Sequence, residues 1–504
     1  MTAPRRRRPG PEAWALLAVL ALAAALRFTG LGFGLRHPPH SDERVFVESV
    51  EQMLAAGDLD HRYYEYPGLV FYLLLPVLRL APGAAEGGPA AYLAARALIA
   101  AFGVAACALL YLWARALAGT RAGLMAALLL AVSPVAVETA HTLRPDVVLH
   151  AAAIVALLAF TRLGPSPRGD LWAGVALGVA GAVKFSAALI VPAYLVARLL
   201  APGRAWRGVL LAGVVAVAVF LLFTPYAVLH PAAFLEGMRV QVGYHYDPDA
   251  HAPVSDSGML LEYLRIAGEA VGLPAALLAV AGAALARREW RRWAPAAALL
   301  LASLLVLASS DVRHERFLLP ALPVVFLLAA WGADRLLQTP LRFTLGALAV
   351  ASVPLAASFR YARALAGPGT RDRIVDWVHA ELAPGALVVS SVPLLGLDPA
   401  RVEVLEVPRL RAENRAQILE ADLVLATPWD DPEATSGLER AFQVDRALRV
   451  EGPVITAWRV PPALRPRYQR LALGSARLLS SRSPGELDLL RDGRLDTLWR
   501  TDDA

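Results

Sequence analysis

Two adjacent acids, Asp42 and Glu43, stand at the head of a segment that keeps Val45, Phe46, Val50, Met53 and Leu54 on one helical face until Gly57. A carboxylate held at such a place can take a proton from a hydroxyl group. The same pair also suits plain helix capping, with Ser41 or Asp42 as N-cap and Glu43 as a first-turn acid favoured by the helix dipole. The sequence leaves both readings open. A second set is basic: Arg96, Lys184, Arg313 and Arg316, each close to the end of an apolar run. Arginines there often only snorkel to the interface. Lys184 carries more information, because it is the only lysine among 49 Lys and Arg residues. A cation on a face otherwise poor in positive charge suits an anion such as a lipid phosphate. The third set, Glu138, His141, Arg144 and Asp146, shares one short loop, where its spacing fits no compact metal-ligand motif, so no metal site is expected. Asp58-x-Asp60 and Asp247-x-Asp249 lie in Gly/Pro/Asp-rich turns that explain them without chemistry. No Walker loop or dinucleotide fingerprint occurs, and no cofactor is expected.

These residues need elements to hold them. Of 504 residues 57% are hydrophobic and 18% charged, against about 25% charged in soluble domains. The apolar runs are about 17–25 residues long, enough to cross a hydrocarbon core of about 30 Å. Spans are expected at about 13–31, 90–117, 121–138, 147–163, 170–184, 186–200, 207–225, 264–286, 294–309, 316–333 and 341–358. Arginines crowd into alternate gaps, Arg115–Arg121, Arg162–Arg168, Arg198–Arg207, Arg287–Arg292 and Arg335–Arg342, as cytoplasmic loops require. That places the N-terminus inside and, with an odd number of spans, the tail outside. The net charge of +6 therefore reflects membrane orientation, and no nucleic-acid partner is implied. The N-terminal arginines and the run after Trp14 resemble a signal peptide but lack a small-residue cleavage site, so they read as an uncleaved first helix. Cys107 is the sole cysteine, and no intrachain disulfide can form.

The first outer loop, about 32–89, is long enough to carry function. It contains the acid pair, then Tyr63-Tyr64-Glu65-Tyr66-Pro67, then Leu69–Leu80, a run too short for a span and better suited to a re-entrant or interfacial helix. After residue 358 the pattern changes. Helix is expected at Arg371–Leu382 and Asn414–Leu419, and strand at Ala386–Ser391, Val402–Val407 and Leu423–Ala426, with Val454–Val460 as an edge strand. The fold expected is a polytopic α-helical membrane protein of about eleven transmembrane helices with a small C-terminal α/β extracytoplasmic domain over 359–463.

Pro39-His40-Ser41-Asp42-Glu43, Gly57-Asp58, Tyr64-Glu65-Tyr66-Pro67-Gly68-Leu69, the Gly178–Lys184 segment and Arg316-Phe317-Leu318-Leu319-Pro320 follow one another in a recognisable order. Over residues 1–358 the chain resembles the GT-C superfamily of polyprenyl-phosphate-sugar glycosyltransferases, in the branch of the protein O-mannosyltransferases and the lipid A aminoarabinose transferase. The resemblance implies transfer of a sugar from a polyprenyl phosphate to a hydroxyl acceptor on a protein, lipid or glycan, at the outer face of the plasma (inner) membrane, with inversion. Asp42 would then be the base and Glu43 its orienting neighbour. Arg96, Lys184, Arg313 and Arg316 would meet the donor phosphate, and Tyr64, Tyr66, His141, Arg144 and Asp146 the acceptor or sugar. Gly68 stands where relatives often carry a second proline, which bears on the acceptor pocket. Residues 464–504 resemble the opening of a discoidin-type carbohydrate-binding module. The rival functions are a transporter or flippase of lipid-linked sugars and a non-catalytic anchor. The first predicts mid-membrane charges and repeat symmetry, and the second needs no elaborate first loop.

Overall fold

The computed structural model describes residues 10–37, 41–81, 88–244, 246, 258–310, 312–392, 396–445 and 453–465. The chain divides into two units, Met1–Leu35 with Pro39–Gly367, and Arg36–Pro38 with Pro368–Ala504.

The first unit is helical. It runs α1 Pro11–Phe28, α2 Ser41–Ala56, α3 Leu69–Leu80, α4 Pro89–Ala118, α5 Thr120–Val132, α6 Pro134–Thr139, α7 Pro145–Phe160, α8 Pro167–Val183 and α9 Val191–Leu200. It continues with α10 Ala205–Phe223, α11 Tyr226–Leu229, α12 Pro231–Tyr244, α13 Met259–Val271, α14 Leu273–Ala286, α15 Trp290–Ala308, α16 Leu322–Leu336 and α17 Pro340–Ala366. Prolines open α1, α4, α6, α7, α8 and α17, where the missing N–H costs nothing and the fixed φ suits the first turn.

By length and composition five helical stretches can cross a membrane: Pro11–Phe28, Pro89–Ala118, Ala205–Phe223, Leu273–Ala308 and Pro340–Glu381. Shorter apolar helices lie at Leu69–Leu80, Thr120–Val132, Pro145–Phe160 and Phe185–Leu200. The expectation of about eleven spans is thus met only in part. Proline and glycine break the apolar runs. The run 121–138 is cut at Ser133-Pro134, and 264–286 is cut at Gly272, whose φ is +80°. Two others begin as 3-10 turns, Phe185–Ile190 and Glu315–Leu318.

Helices pack closely where small residues face each other, as membrane helices do when they lack a hydrophobic drive between them. On α8, a Cβ at Gly174 would lie 2.6 Å from the Ala212 carbonyl oxygen of α10, and one at Gly178 would lie 2.5 Å from that of Ala216. Gly178→Val should therefore destabilise the protein by about 1–3 kcal/mol through overpacking. Gly213→Ala on α10, which meets nothing within 4 Å, should not. Thermal unfolding of the detergent-solubilised variants checks this. Equal melting temperatures for both would mean that α8 and α10 can move apart.

In the second unit α18 (Thr370–Glu381) leads to β1 (Ala386–Ser390) and β2 (Val402–Glu406). Then follow α19 (Arg415–Glu420), β3 (Leu423–Ala426), β4 (Glu439–Val444) and β5 (Ile455–Arg459). The sheet order is β2-β1-β3-β5-β4, with β1 parallel to β2 and β3, and β5 antiparallel to β3 and β4. β5 is thus not the edge strand expected at Val454–Val460. The polar strand β4 takes the edge, and only Phe442 and Val444 of its side chains pack against the core formed by α18 and the sheet. Asp247-x-Asp249 and the discoidin-like segment lie outside the described residues.

Candidate active site

All the residues of this site belong to the first unit. α2 begins at Ser41, so Asp42 and Glu43 occupy its first turn. Its apolar face, Phe46, Val47, Val50 and Met53, is buried, and Gly57 at φ +69° ends the helix, its N–H reaching the Met53 carbonyl at 2.9 Å. This burial turns the two acids to opposite fates.

Glu43 is 1% exposed and Arg96 2%. The Arg96 guanidinium donates to both carboxylate oxygens of Glu43, at 2.8 and 2.7 Å, and to the carbonyls of Leu31 and Phe33, each at 2.8 Å. It also lies over the Phe33 ring at 4.1 Å. Glu43 accepts a further bond from the Leu143 N–H at 2.9 Å. One buried pair therefore ties α2, α4, the chain after α1 and the loop before α7. Arg96, expected to meet a phosphate, has its polar reach filled by these partners, and neither it nor Glu43 lines the cavity onto which Asp42 opens.

That cavity, about 310 Å³, is lined by Asp42, Tyr63, Glu65, Tyr66, Arg144, Asp146, Lys184, Gln241, Tyr244, Arg316 and Phe317 among others. Of its three acids and three cations, all but Glu65 are paired with an opposite charge among the described residues. Asp42 pairs with Arg144 at 3.0 Å. The Lys184 ammonium donates to Asp146 at 2.8 Å, and Arg316 stands 4.0 Å from the other Asp146 oxygen. Both cations pack on the face of Phe317, at 5.1 and 5.2 Å from its centroid. Backbone irregularity aims these two cations. Lys184 is the extended residue between α8 and the 3-10 turn Phe185–Ile190, and Arg316 sits in the 3-10 turn before α16.

An apolar cavity of about 350 Å³ adjoins, sharing Glu65, Tyr66, Asp146, Lys184, Gln241 and Phe317, and continuing along Leu149, Phe185, Leu189, Val306, Leu307 and Pro320. Tyr66 packs on Phe46 at 5.3 Å between ring centroids. Burial, reinforced by Asp146 and Asp42, pushes its phenol up, so it stays a donor. Behind the chamber, burial and then Arg316 and Arg144 bring His314 down to about 4, leaving it neutral.

The other expected site residues lie elsewhere. Tyr64 donates to Asp60 at 2.9 Å and packs near His61 and His230, outside the chamber. His141 is buried, with its ring nitrogens 2.7 and 2.9 Å from the carbonyls of Val137 and Thr29. Arg313 is held by Glu262 at 2.8 Å and Glu315 at 3.5 Å. Asp58 and Asp60 form successive turns, each accepting the N–H two residues on at 3.0 Å. Glu65, between Tyr64 and Tyr66, joins the chamber as an acid beyond the expected set. It accepts from the Tyr63 hydroxyl at 2.7 Å and the Gln241 amide at 3.3 Å. Among the described residues no three His, Cys, Asp or Glu side chains converge as metal ligands would.

Residues 90–228, which include Arg96, Arg144, Asp146 and Lys184, match the family of dolichyl-phosphate-mannose-protein mannosyltransferases. No curated protein matches the chain. Among solved structures, ArnT from Cupriavidus metallidurans bound to undecaprenyl phosphate aligns with a TM-score of 0.57 at 16% identity, over 91% of this chain and 100% of that one. The oligosaccharyltransferase AglB from Archaeoglobus fulgidus, in complex with an inhibitory peptide and a dolichol-phosphate, aligns with 0.53 at 12% identity, over 90% and 75%. At such identities the likeness is one of fold. The chain carries the fold of the GT-C glycosyltransferases, shared with ArnT and AglB, and its likeness to the protein O-mannosyltransferases is a match of sequence over residues 90–228.

Proposed function

We propose that this protein is a glycosyltransferase that moves a sugar from a polyprenyl-phosphate carrier to a hydroxyl acceptor, at the outer face of the membrane, with inversion and with Asp42 as general base. The observation that carries this reading is one chamber that brings together Asp42, paired with Arg144, and two cations, Lys184 and Arg316, gathered around Asp146, with an apolar cavity beginning at Lys184. A phosphate at Lys184 and Arg316 has room beside it for an apolar chain. The two aligned structures, ArnT and AglB, hold undecaprenyl phosphate and a dolichol-phosphate.

The acceptor oxygen attacks the anomeric carbon on the face opposite the phosphate, and its proton passes to the Asp42 carboxylate. The carbon–oxygen bond to the phosphate breaks, and its electron pair stays on the phosphate. Lys184 and Arg316 offset that growing charge in a water-poor site, where fixed cations act most strongly. Asp146 holds both cations in place before the donor arrives, and Arg144 holds Asp42. Glu43 and Arg96 act as positioning residues by fixing the turn that carries Asp42. The deciding experiment incubates the purified protein with a polyprenyl-phosphate sugar and a hydroxyl acceptor pool, and determines the product's anomeric configuration. Retention of configuration, or turnover of no such donor, would sink the reading.

The orientation belongs to the same proposal: eleven crossings, a cytoplasmic N-terminus and an external tail. A reporter active only outside the membrane should be active when fused after Arg363 and inactive after Arg288. The opposite pair of results would move the chamber to the cytoplasmic face.

A further inference from the structure

A second cavity, of about 510 Å³, lies apart from the chamber, between α3, α4, α7, α8 and α10. It begins at Leu69 and Phe223 and ends at Arg162 and Trp172. Alanines such as Ala105, Ala152 and Ala176 make it deep, and Arg162 is the one charged residue among those lining it. It is open at the side, since two of its lining residues, Val155 and Trp172, are 39% and 63% exposed. Along α7 it extends from Val148 to Ala159, which at 1.5 Å per residue is about 17 Å of helix, more than half of a hydrocarbon core, with Arg162 two residues past the helix end. Such a slot has the length and lining of a hydrocarbon chain. A tryptophan and an arginine at one end are what the membrane–water boundary selects.

We propose that this groove seats a chain of an anionic phospholipid, with its phosphate at Arg162, in the leaflet opposite the acid chamber. The place of the groove's one charge favours this occupant over the proposed sugar donor. A phosphate at Arg162 would be about 20 Å along α7 from Asp146, the residue that holds Lys184 and Arg316. Charge selects an anionic head group. The gaps 162–168 and 198–207 are tied together by the bond from Arg198 to the Gly164 carbonyl, at 3.2 Å. They contain five arginines and no acid, and Arg162, Arg168, Arg204 and Arg207 are exposed. The inference rests on the chain being embedded in a bilayer and is independent of the transfer reaction.

The test uses the full chain in lipid nanodiscs containing a phosphatidylglycerol with a diazirine on its acyl chain, and maps the cross-links by mass spectrometry. Cross-links should concentrate on the groove faces of α7 and α8. Arg162→Glu should reduce them about five-fold or more, the scale of losing one basic residue at an anionic surface. Val155→Trp, a change at an exposed position, should reduce them by plugging the slot. Arg342→Glu, at the start of α17, should leave them unchanged. Uniform labelling around the bundle, or an equal loss in Arg342→Glu, would overturn the proposal. So would a diazirine-bearing polyprenyl phosphate that labels these same residues, because the groove would then belong to the donor.

Discussion

Asp42→Asn is expected to leave the protein folded and to lower transfer by about 10²–10⁴-fold, the usual contribution of a general base. Asparagine keeps the size of the side chain and can still accept a hydrogen bond from Arg144, but it cannot take the acceptor's proton. Helix stability offers no competing explanation. Asp42 lies in the first turn of α2 and not at its cap, and even a capping aspartate is replaced by asparagine at little cost. Initial rates with a purified polyprenyl-phosphate sugar, for variants matched in expression and membrane insertion, give the measurement. Near-wild-type transfer would remove Asp42 from the mechanism and transfer the role to Glu65, the chamber acid that pairs with no cation among the described residues. Lys184→Ala should weaken donor use by another route. Lys184→Arg restores it partly if charge alone matters, and poorly if a compact ammonium is needed between Asp146 and Phe317.

Arg96→Ala should cost about 3–5 kcal/mol of stability, because it strands a buried carboxylate without its partner. The loss would appear as a lower melting temperature and poor recovery from membranes. Replacing both partners together, Arg96→Met with Glu43→Leu, should cost less, since two apolar groups need no desolvation compensation. A direct role at the donor phosphate makes a different prediction. Arg96→Ala would then unfold like the wild type and show only a raised donor KM. With all the polar contacts of Arg96 directed to Glu43, Leu31 and Phe33, the stability effect is the expected one.

The character of the chain was legible without coordinates. Long apolar runs, arginine in alternate gaps, an amphipathic segment stopped by Gly57 and a tail of short alternating elements are one-dimensional signals. Each follows from local chemistry: membrane thickness, charge at the interface, and backbone freedom at glycine. The oddness of a lone lysine was equally visible, and Lys184 does face the chamber. Whether a given apolar run crosses the membrane as one straight helix was less legible. Ser133-Pro134, Gly272 and the two 3-10 turns interrupt runs whose composition alone looked continuous.

Only the tertiary structure could divide the acid pair. Asp42 and Glu43 are neighbours in sequence, and in a helix neighbours point about 100° apart. One therefore turns into the chamber, and the other turns under it, onto an arginine 53 positions away. The same holds for the cations. Arg96, Arg313 and Arg316 look alike at the ends of apolar runs, yet Glu43 consumes the first, Glu262 holds the second, and only the third joins Lys184 around Asp146. Glu65 was not legible between Tyr64 and Tyr66, because a loop without helical or strand period gives no rule for which side chain faces inward. The sequence by itself determined a membrane-embedded helical chain with charged residues gathered at its helix ends. The partner that each charge meets was decided by contacts between segments distant in sequence, where burial makes an unpaired charge too costly to leave alone.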